Sequence, residues 1–151
     1  MEDNSSTVFT EIEINATPEQ VWSVLTDWKK LSEWSSSFVG ISADEMRKGE
    51  RFMVYFKNPL TGKSIEFERI CTAYVECRMF SWSGEFTSGV TDNHIYMLEP
   101  TENGTTIFKQ EDGIHGKHSK LLNLLGKQHM QSMYKKFDRE LKVRVELIHK
   151  K

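Results

Sequence analysis

The chain has 151 residues, 38% of them hydrophobic and 28% charged, a balance that suits one globular domain over residues 1–151, with two very small domains as the alternative. Lys and Arg number 20 against 22 Asp and Glu, a net charge of −2, so no basic excess speaks for nucleic-acid binding and no acidic field for a cationic partner. No run approaches ~18 consecutive apolar residues, which argues against a membrane-spanning helix.

The opening Met1-Glu2-Asp3-Asn4-Ser5-Ser6 is acidic and polar, unlike a secretory signal, and a cytoplasmic location without membrane insertion is the expectation. Val8, Thr10, Ile12 and Ile14 alternate onto one face of a half-buried strand over Val8–Ile14. A helix start follows. Thr17 can cap it, Pro18 suits the first helical position, and Gln20 completes a capping box. Val21, Val24, Leu25 and Trp28 then fall at helical spacing, and a second short helix is expected over Lys30–Trp34 before Ser35-Ser36-Ser37 ends it.

From there the chain reads as strands over Phe38–Ala43, Arg51–Asn58, Ser64–Val75, Met79–Phe86, Asp92–Glu99 and Thr105–Glu111. Turn signals separate them at Lys48-Gly49, Asn58-Pro59-Leu60-Thr61-Gly62, Ser88-Gly89 and Asn103-Gly104. Short turns force antiparallel pairing, because parallel strands need long crossovers. Beyond Gly113 and Gly116 the period changes: Leu121, Leu125, His129, Met133, Phe137, Leu141 and Val145 advance in steps of four, and Leu122, Met130, Tyr134 and Ile148 widen the stripe. One amphipathic helix from about Lys117 to His149 is predicted, weakened locally at Gly126. A helix only about 10 Å wide cannot cover the face of a curved multi-strand sheet, so a cavity is expected between them.

Ile12-Glu13-Ile14-Asn15-Ala16-Thr17-Pro18-Glu19-Gln20-Val21-Trp22, continuing through Leu25-Thr26-Asp27-Trp28 to Trp34, resembles the superfamily of START domains, polyketide cyclases and birch-allergen-like proteins (SRPBCC). Further matches are Phe80-Ser81-Trp82-Ser83-Gly84, the stretch from His94 to Pro100, and Gly104-Thr105-Thr106 leading to Glu111. The resemblance covers nearly the whole chain. It implies the α+β helix-grip fold: a curved antiparallel seven-stranded sheet wrapped around a long C-terminal helix, with two short helices after the first strand. Members of the superfamily bind lipids or hormones, cyclise polyketides, or stimulate a chaperone ATPase, so fold alone does not fix the function.

Strand parity groups His94 with Tyr96 and Leu98, Phe80 with Trp82, Gly84 and Phe86, and Thr106 with Phe108 and Gln110; the resemblance favours these faces as concave. Ile65, Phe67, Cys71, Ala73 and Val75 share a face, with Arg69 among them. A buried guanidinium needs an acceptor, so Arg69 anchors an anionic ligand group, pairs with a protein carboxylate, or is turned to solvent by a bulge. His129 interrupts the helix stripe; if that stripe faces the cavity the imidazole does too, near His94, and two inward histidines would bind a polar head group or move protons. Simple core packing is the alternative for each aromatic and histidine. Glu66 and Glu68 read as solvated.

The two cysteines, Cys71 and Cys77, lie in no activating or metal-binding pattern, and His115 and His118 lack a third ligand at a persuasive spacing. No phosphate-cradling glycine motif and no G-x-S-x-G occurs. The expectation is therefore a carrier or sensor without cofactor or metal, monomeric or weakly dimeric. Phe67, Trp82, Tyr96, Phe108, Met133 and Phe137 would hold a hydrophobic, aromatic or lipid-like ligand, and Arg69, His94 or His129 would orient it. The alternatives are a polyketide cyclase or aromatase-like enzyme using a cavity histidine, and a chaperone-ATPase-activating interaction domain.

Overall fold

The computed structural model describes residues 3–58, 60–87, 89–117 and 120–150. Pro59, Ser88 and His118 lie outside the described residues, as do the side chains of Phe86, Leu121 and Leu122. The elements run β1 (Asp3–Ile14), α1 (Pro18–Leu25), a 3₁₀ helix (Trp28–Glu33), β2 (Phe38–Ile41), β3 (Arg51–Lys57), β4 (Ser64–Val75), β5 (Met79–Thr87), β6 (Val90–Pro100), β7 (Thr106–Lys117) and α2 (Lys120–Ile148). All strands pair antiparallel in one sheet of order β1-β7-β6-β5-β4-β3-β2. The sheet curls around α2, the helix-grip arrangement that the resemblance implied.

The start of α1 forms as the residues dictate. Thr17 Oγ1 accepts from the Gln20 backbone N–H at 3.2 Å, and Gln20 Oε1 accepts from the Thr17 N–H at 2.9 Å. The second short helix differs from expectation: it is 3₁₀ and begins at Trp28, which buries Trp28 and Leu31 together. β2 stops at Ile41 because Ser42 takes over the pairing, its N–H donating to Met53 O and its hydroxyl accepting from the Met53 N–H. β7 runs through Gly113 and Gly116 to Lys117, since β1 flanks it from Asp3 and β6 from Val90. Gly116 has φ of 136°, and a Cβ there would sit 2.0 Å from the Gly89 carbonyl oxygen, so only glycine lets the β5–β6 turn approach this closely.

The inner face matches the expected parity on β1, β5, β6 and β7, with one correction on β4. The β4–β5 register slips between Cys71 and Ala73. Beyond that bulge Tyr74 turns inward to meet Trp22 at a ring distance of 5.5 Å, while Val75 is exposed. Arg69 precedes the bulge and stays inside. The core proper joins Trp22, Trp28, Phe38, Phe80, Trp82, Tyr96 and Phe108 on the sheet side to Phe137, Leu141 and Val145 of α2.

The α2 stripe needs a second correction. Steps of four overshoot each turn by about 40°, so a row that faces the sheet at Leu141 rotates away from it toward the N-terminal end. Leu125 is 53% exposed and His129 is exposed, while Met130, Met133 and Tyr134 take over the inward face. Ile148, assigned to the stripe, is exposed as well.

Candidate functional site

The two halves of α2 behave differently. Phe137 packs against Trp34, Phe38, Tyr96 and Phe108, and Leu141 and Val145 are fully buried, so the C-terminal half sits tight on the sheet. The N-terminal half stands away from β3 and β4 and leaves a cavity of about 560 Å³, within the range of roughly 300–1,000 Å³ usual for small-molecule sites. Its sides are Phe56 of β3, Ile65 and Phe67 of β4, Trp82 of β5, and Met130 and Met133 of α2. Lys57, Asn58, Leu60 and His129 border the opening, and Arg69, Asp92, His94 and Tyr134 form the polar inner part.

Of the residues singled out in the sequence, Phe67, Arg69, Trp82, His94, His129 and Met133 line this cavity. Tyr96 and Phe137 stand one layer behind, around a void of about 10 Å³, too small to hold more than about one water. Phe108 is packed in the core, fully buried. His129 belongs to the rim, whereas His94 is buried among protein partners, so the two histidines do not form one inward pair. Asp92 and Tyr134 escaped the sequence reading as site residues. Asp92 shares parity with His94, but it looked like the polar start of a strand that in fact begins at Val90. Asp112 shares parity with Gln110, but it lay past the predicted end of its strand.

Arg69 lies flat across β5. Its Nη1 donates to the Glu68 carbonyl at 2.8 Å and to the Glu85 carbonyl at 3.3 Å, and its Nε is 3.3 Å from Asp92 Oδ1. The guanidinium carbon stands 5.1 Å from the centre of the Phe67 ring. Gly84 makes this possible, for a Cβ there would fall 2.8 Å from both Cδ and Nη1 of Arg69. Of the readings open for Arg69, pairing with a protein carboxylate is the one the structure shows.

Behind Arg69 lies a buried polar chain. His94 is sandwiched between Tyr96 and Tyr134, with ring centroids 4.2 and 4.6 Å away. Its Nε2 meets Gln110 Oε1 at 2.8 Å, and its Nδ1 lies 3.7 Å from Asp112 Oδ2. Gln110 Nε2 donates to Asp138 Oδ1 at 2.7 Å, which fixes the amide orientation and makes His94 Nε2 the donor to Gln110 Oε1. Tyr134 Oη donates to Asp112 Oδ2 at 2.5 Å.

Burial pushes the Asp92 carboxyl up to about 7, helped by the Asp112 charge and opposed by Arg69. Burial likewise raises Asp112 to about 6 against the pull of Tyr134, and Asp138 to about 6 against the pull of Gln110. The same desolvation lowers His94 to about 4, so its ring is neutral at pH 7 and Nδ1 carries a lone pair toward Asp112. Asp92 and Asp112 lie on adjoining strands with both carboxyls buried, close enough for the Asp112 charge to raise Asp92, and Oδ1 of each has no hydrogen-bond partner. Two carboxyls so placed hold a proton between them rather than ionise together.

Among the described residues no group of three His, Cys, Asp or Glu gathers with the geometry of a metal site. Cys71 and Cys77 are free thiols, and no helix there is long and apolar enough to cross a membrane.

A curled antiparallel sheet gripping one long helix, with a cavity between them, is the helix-grip fold. Residues 6–146 match the polyketide cyclase / dehydrase and lipid transport family, and the chain belongs to it. No curated protein matches by sequence. Among solved structures, TTHA0849 from Thermus thermophilus is similar with a TM-score of 0.72 at 16% identity, covering 95% of this chain and 99% of that one. A START superfamily protein from Mycobacterium smegmatis gives 0.67 at 14% identity, covering 94% and 98%. Ara h 8.0201 gives 0.63 at 16% identity, covering 91% and 98%. At such identities these likenesses establish the fold and leave the ligand to be argued from the cavity.

Proposed function

We propose that the protein binds a small, largely apolar molecule in the cavity between the sheet and the N-terminal half of α2, as a carrier or sensor. The observation that carries this reading is an open volume of about 560 Å³ in which Phe56, Phe67, Trp82 and Met133 offer apolar walls and Asp92, Arg69, His94 and Tyr134 a compact polar end. Apolar burial supplies affinity at about 25 cal/mol per Å² before ordering costs, and the polar end selects among head groups. The chaperone-activating alternative needs an exposed apolar patch in place of a pocket, so the cavity supports ligand binding over it.

The neutral dye N-phenyl-1-naphthylamine tests the reading. It should gain fluorescence on binding and quench Trp82, and Met133→Trp, which narrows the volume beside Phe67 and Trp82, should weaken uptake without unfolding the protein. Equal uptake by wild type and Met133→Trp would refute it.

A second reading, a cyclase or dehydratase-like enzyme, is favoured by Asp92, whose carboxyl is raised to about 7 at the cavity wall. A general acid–base group works best with a pKa near the working pH. In that case Asp92, not His129, is the proton-transfer group. Turnover of a bound compound that is lost in Asp92→Asn while binding persists would distinguish enzyme from carrier.

A further inference from the structure

We propose that the Asp92–Asp112 carboxyl pair at the inner end of the cavity is a recognition site for a protonated amine, which binds in place of the proton that the pair otherwise holds. The proposal rests on the cavity being a ligand site and names the head group it takes.

Charge accounting comes first. Arg69 is the cation placed against the pair, and it acts on two buried carboxyls, those of Asp92 and Asp112. Nη1 donates to two backbone carbonyls, and Nε faces Asp92 at 3.3 Å. An anionic head group would meet a cluster already rich in carboxylates and a guanidinium whose charge already faces Asp92. A neutral acceptor fares little better, since the Tyr134 hydroxyl donates inward to Asp112 and His94 Nε2 donates to Gln110. What the inner end offers a ligand is acceptor oxygen.

The Asp92 carboxyl borders the volume that a head group would enter, and Asp112 lies outside its lining. Asp92 is 8% exposed and lines the cavity, and its Oδ1 has no hydrogen-bond partner beyond the ion contact to Arg69 Nε. Asp112 is fully buried directly behind it, and its Oδ1 is also without a hydrogen-bond partner. One proton satisfies this slot, and so does an ammonium N–H pointing inward. Either species supplies the donor and the positive charge that two apposed carboxyls require. The ammonium would lie beside the Trp82 ring, a favourable surface for a cation, with its apolar body along Phe67 and Met133.

The groups facing the pair include Arg69 from β4, neutral His94 and Tyr96 from β6, Tyr134 and, through Gln110, Asp138 from α2, with Lys57 and His129 out at the opening. The raised carboxyls of Asp92 and Asp112 agree with a proton held there near neutrality. Amine binding should then release that proton and strengthen as pH rises.

Isothermal titration of the whole protein at pH 7.5 with three matched probes tests this: 2-(2-naphthyl)ethylamine, 2-(2-naphthyl)ethanol and 2-naphthylacetate. The amine should bind at least ten times more tightly than the alcohol, and the carboxylate most weakly. Enthalpies at pH 6, in buffers of different ionisation heat, should report close to one proton released per amine bound, and clearly less at pH 7.5. Amine affinity should fall between pH 7.5 and 5 while that of the alcohol stays level. Asp92→Asn should erase the tenfold preference, and the wild-type comparison decides the question even if that variant folds poorly. Alcohol or carboxylate binding as tightly as the amine, or no proton release, overturns the proposal and leaves the cavity reading standing. Failure of all three probes, together with no uptake of N-phenyl-1-naphthylamine, overturns both.

Discussion

Replacing Gly84 by alanine adds a single methyl group, yet it should act on the whole polar end of the cavity. Gly84 has no positive φ, so alanine carries no backbone penalty there and slightly restricts the unfolded chain. The damage is local: the new Cβ would lie 2.7 Å from the Glu68 carbonyl oxygen and 2.8 Å from Cδ and Nη1 of Arg69. The carbonyl is held in the sheet, so the arginine must move. Moving it separates a buried ion pair in which Arg69 is 5% and Asp92 8% exposed. Losing one partner of such a pair costs about 3–5 kcal/mol, a large share of the roughly 5–15 kcal/mol that holds a domain together. For a chain of this length each kcal/mol shifts Tm by about 2–4 °C, so a drop of at least about 6 °C is expected.

Gly126→Ala provides the control. That glycine is exposed on α2, and a methyl group added to it would meet nothing within 4 Å, so alanine there should stabilise by up to about 1 kcal/mol. Urea titration of both variants, with the Asp92 carboxyl followed by NMR, checks the argument. Asp92 should titrate higher in Gly84→Ala, having lost the Arg69 charge that pulls it down. If Gly84→Ala costs under ~1 kcal/mol, well below the usual toll of a broken buried pair, and leaves Asp92 unmoved, the account of Arg69 as tightly committed is wrong.

Stability should also fall as pH rises from about 4 to 7, because Asp92, Asp112 and Asp138 carry folded pKa values of about 7, 6 and 6, above their unfolded values near ~4. Such groups stabilise most below the unfolded pKa and lose that contribution as they ionise. His94, lowered to about 4, opposes one of the three, so the urea midpoint at pH 5 should exceed that at pH 7, and Asp112→Asn should flatten the difference. Leu141→Ala, at a fully buried position on the tight half of α2, should cost about 2–5 kcal/mol. Met133→Ala should cost clearly less in the same denaturation assay, because its side chain already borders open volume. Thr17→Ala removes one arm of the capping box and should cost about 1 kcal/mol by thermal melting.

The antiparallel meander, the Thr17 cap and the grouping of Phe80 with Trp82, and of His94 with Tyr96, were legible, because period-two alternation and local capping are written within a few residues of each other; the resemblance supplied which face points inward, and the pairing of β1 with β7 joins residues too far apart in the chain to be read locally. Three things were not. The β4 bulge inverts the side of Tyr74 and Val75, and nothing in Cys71-Thr72-Ala73 announces it. The accumulated rotation of α2 moves His129 to the rim, a consequence of reading a four-residue step over several turns. The acid pair was hidden because Asp92 and Asp112 sit at the polar ends of strands that pairing extends: β6 begins at Val90, ahead of Asp92, and β7 reaches past Asp112 to Lys117. A carboxylate at a strand end reads as solvated until the neighbouring strand is known to continue beside it.

The unequal seating of α2 divides the labour of the chain. Its distal turns, from Phe137 to Val145, are moored to the aromatic interior, and loosening them endangers the assembly itself. The proximal turns, together with the tip between β3 and β4, border the opening through Leu60, Ile65, His129 and Met130. Those positions are free to change size and polarity with little penalty to folding. On the proposed reading, admission of a guest could thus be retuned at the doorway while the foundations stay untouched.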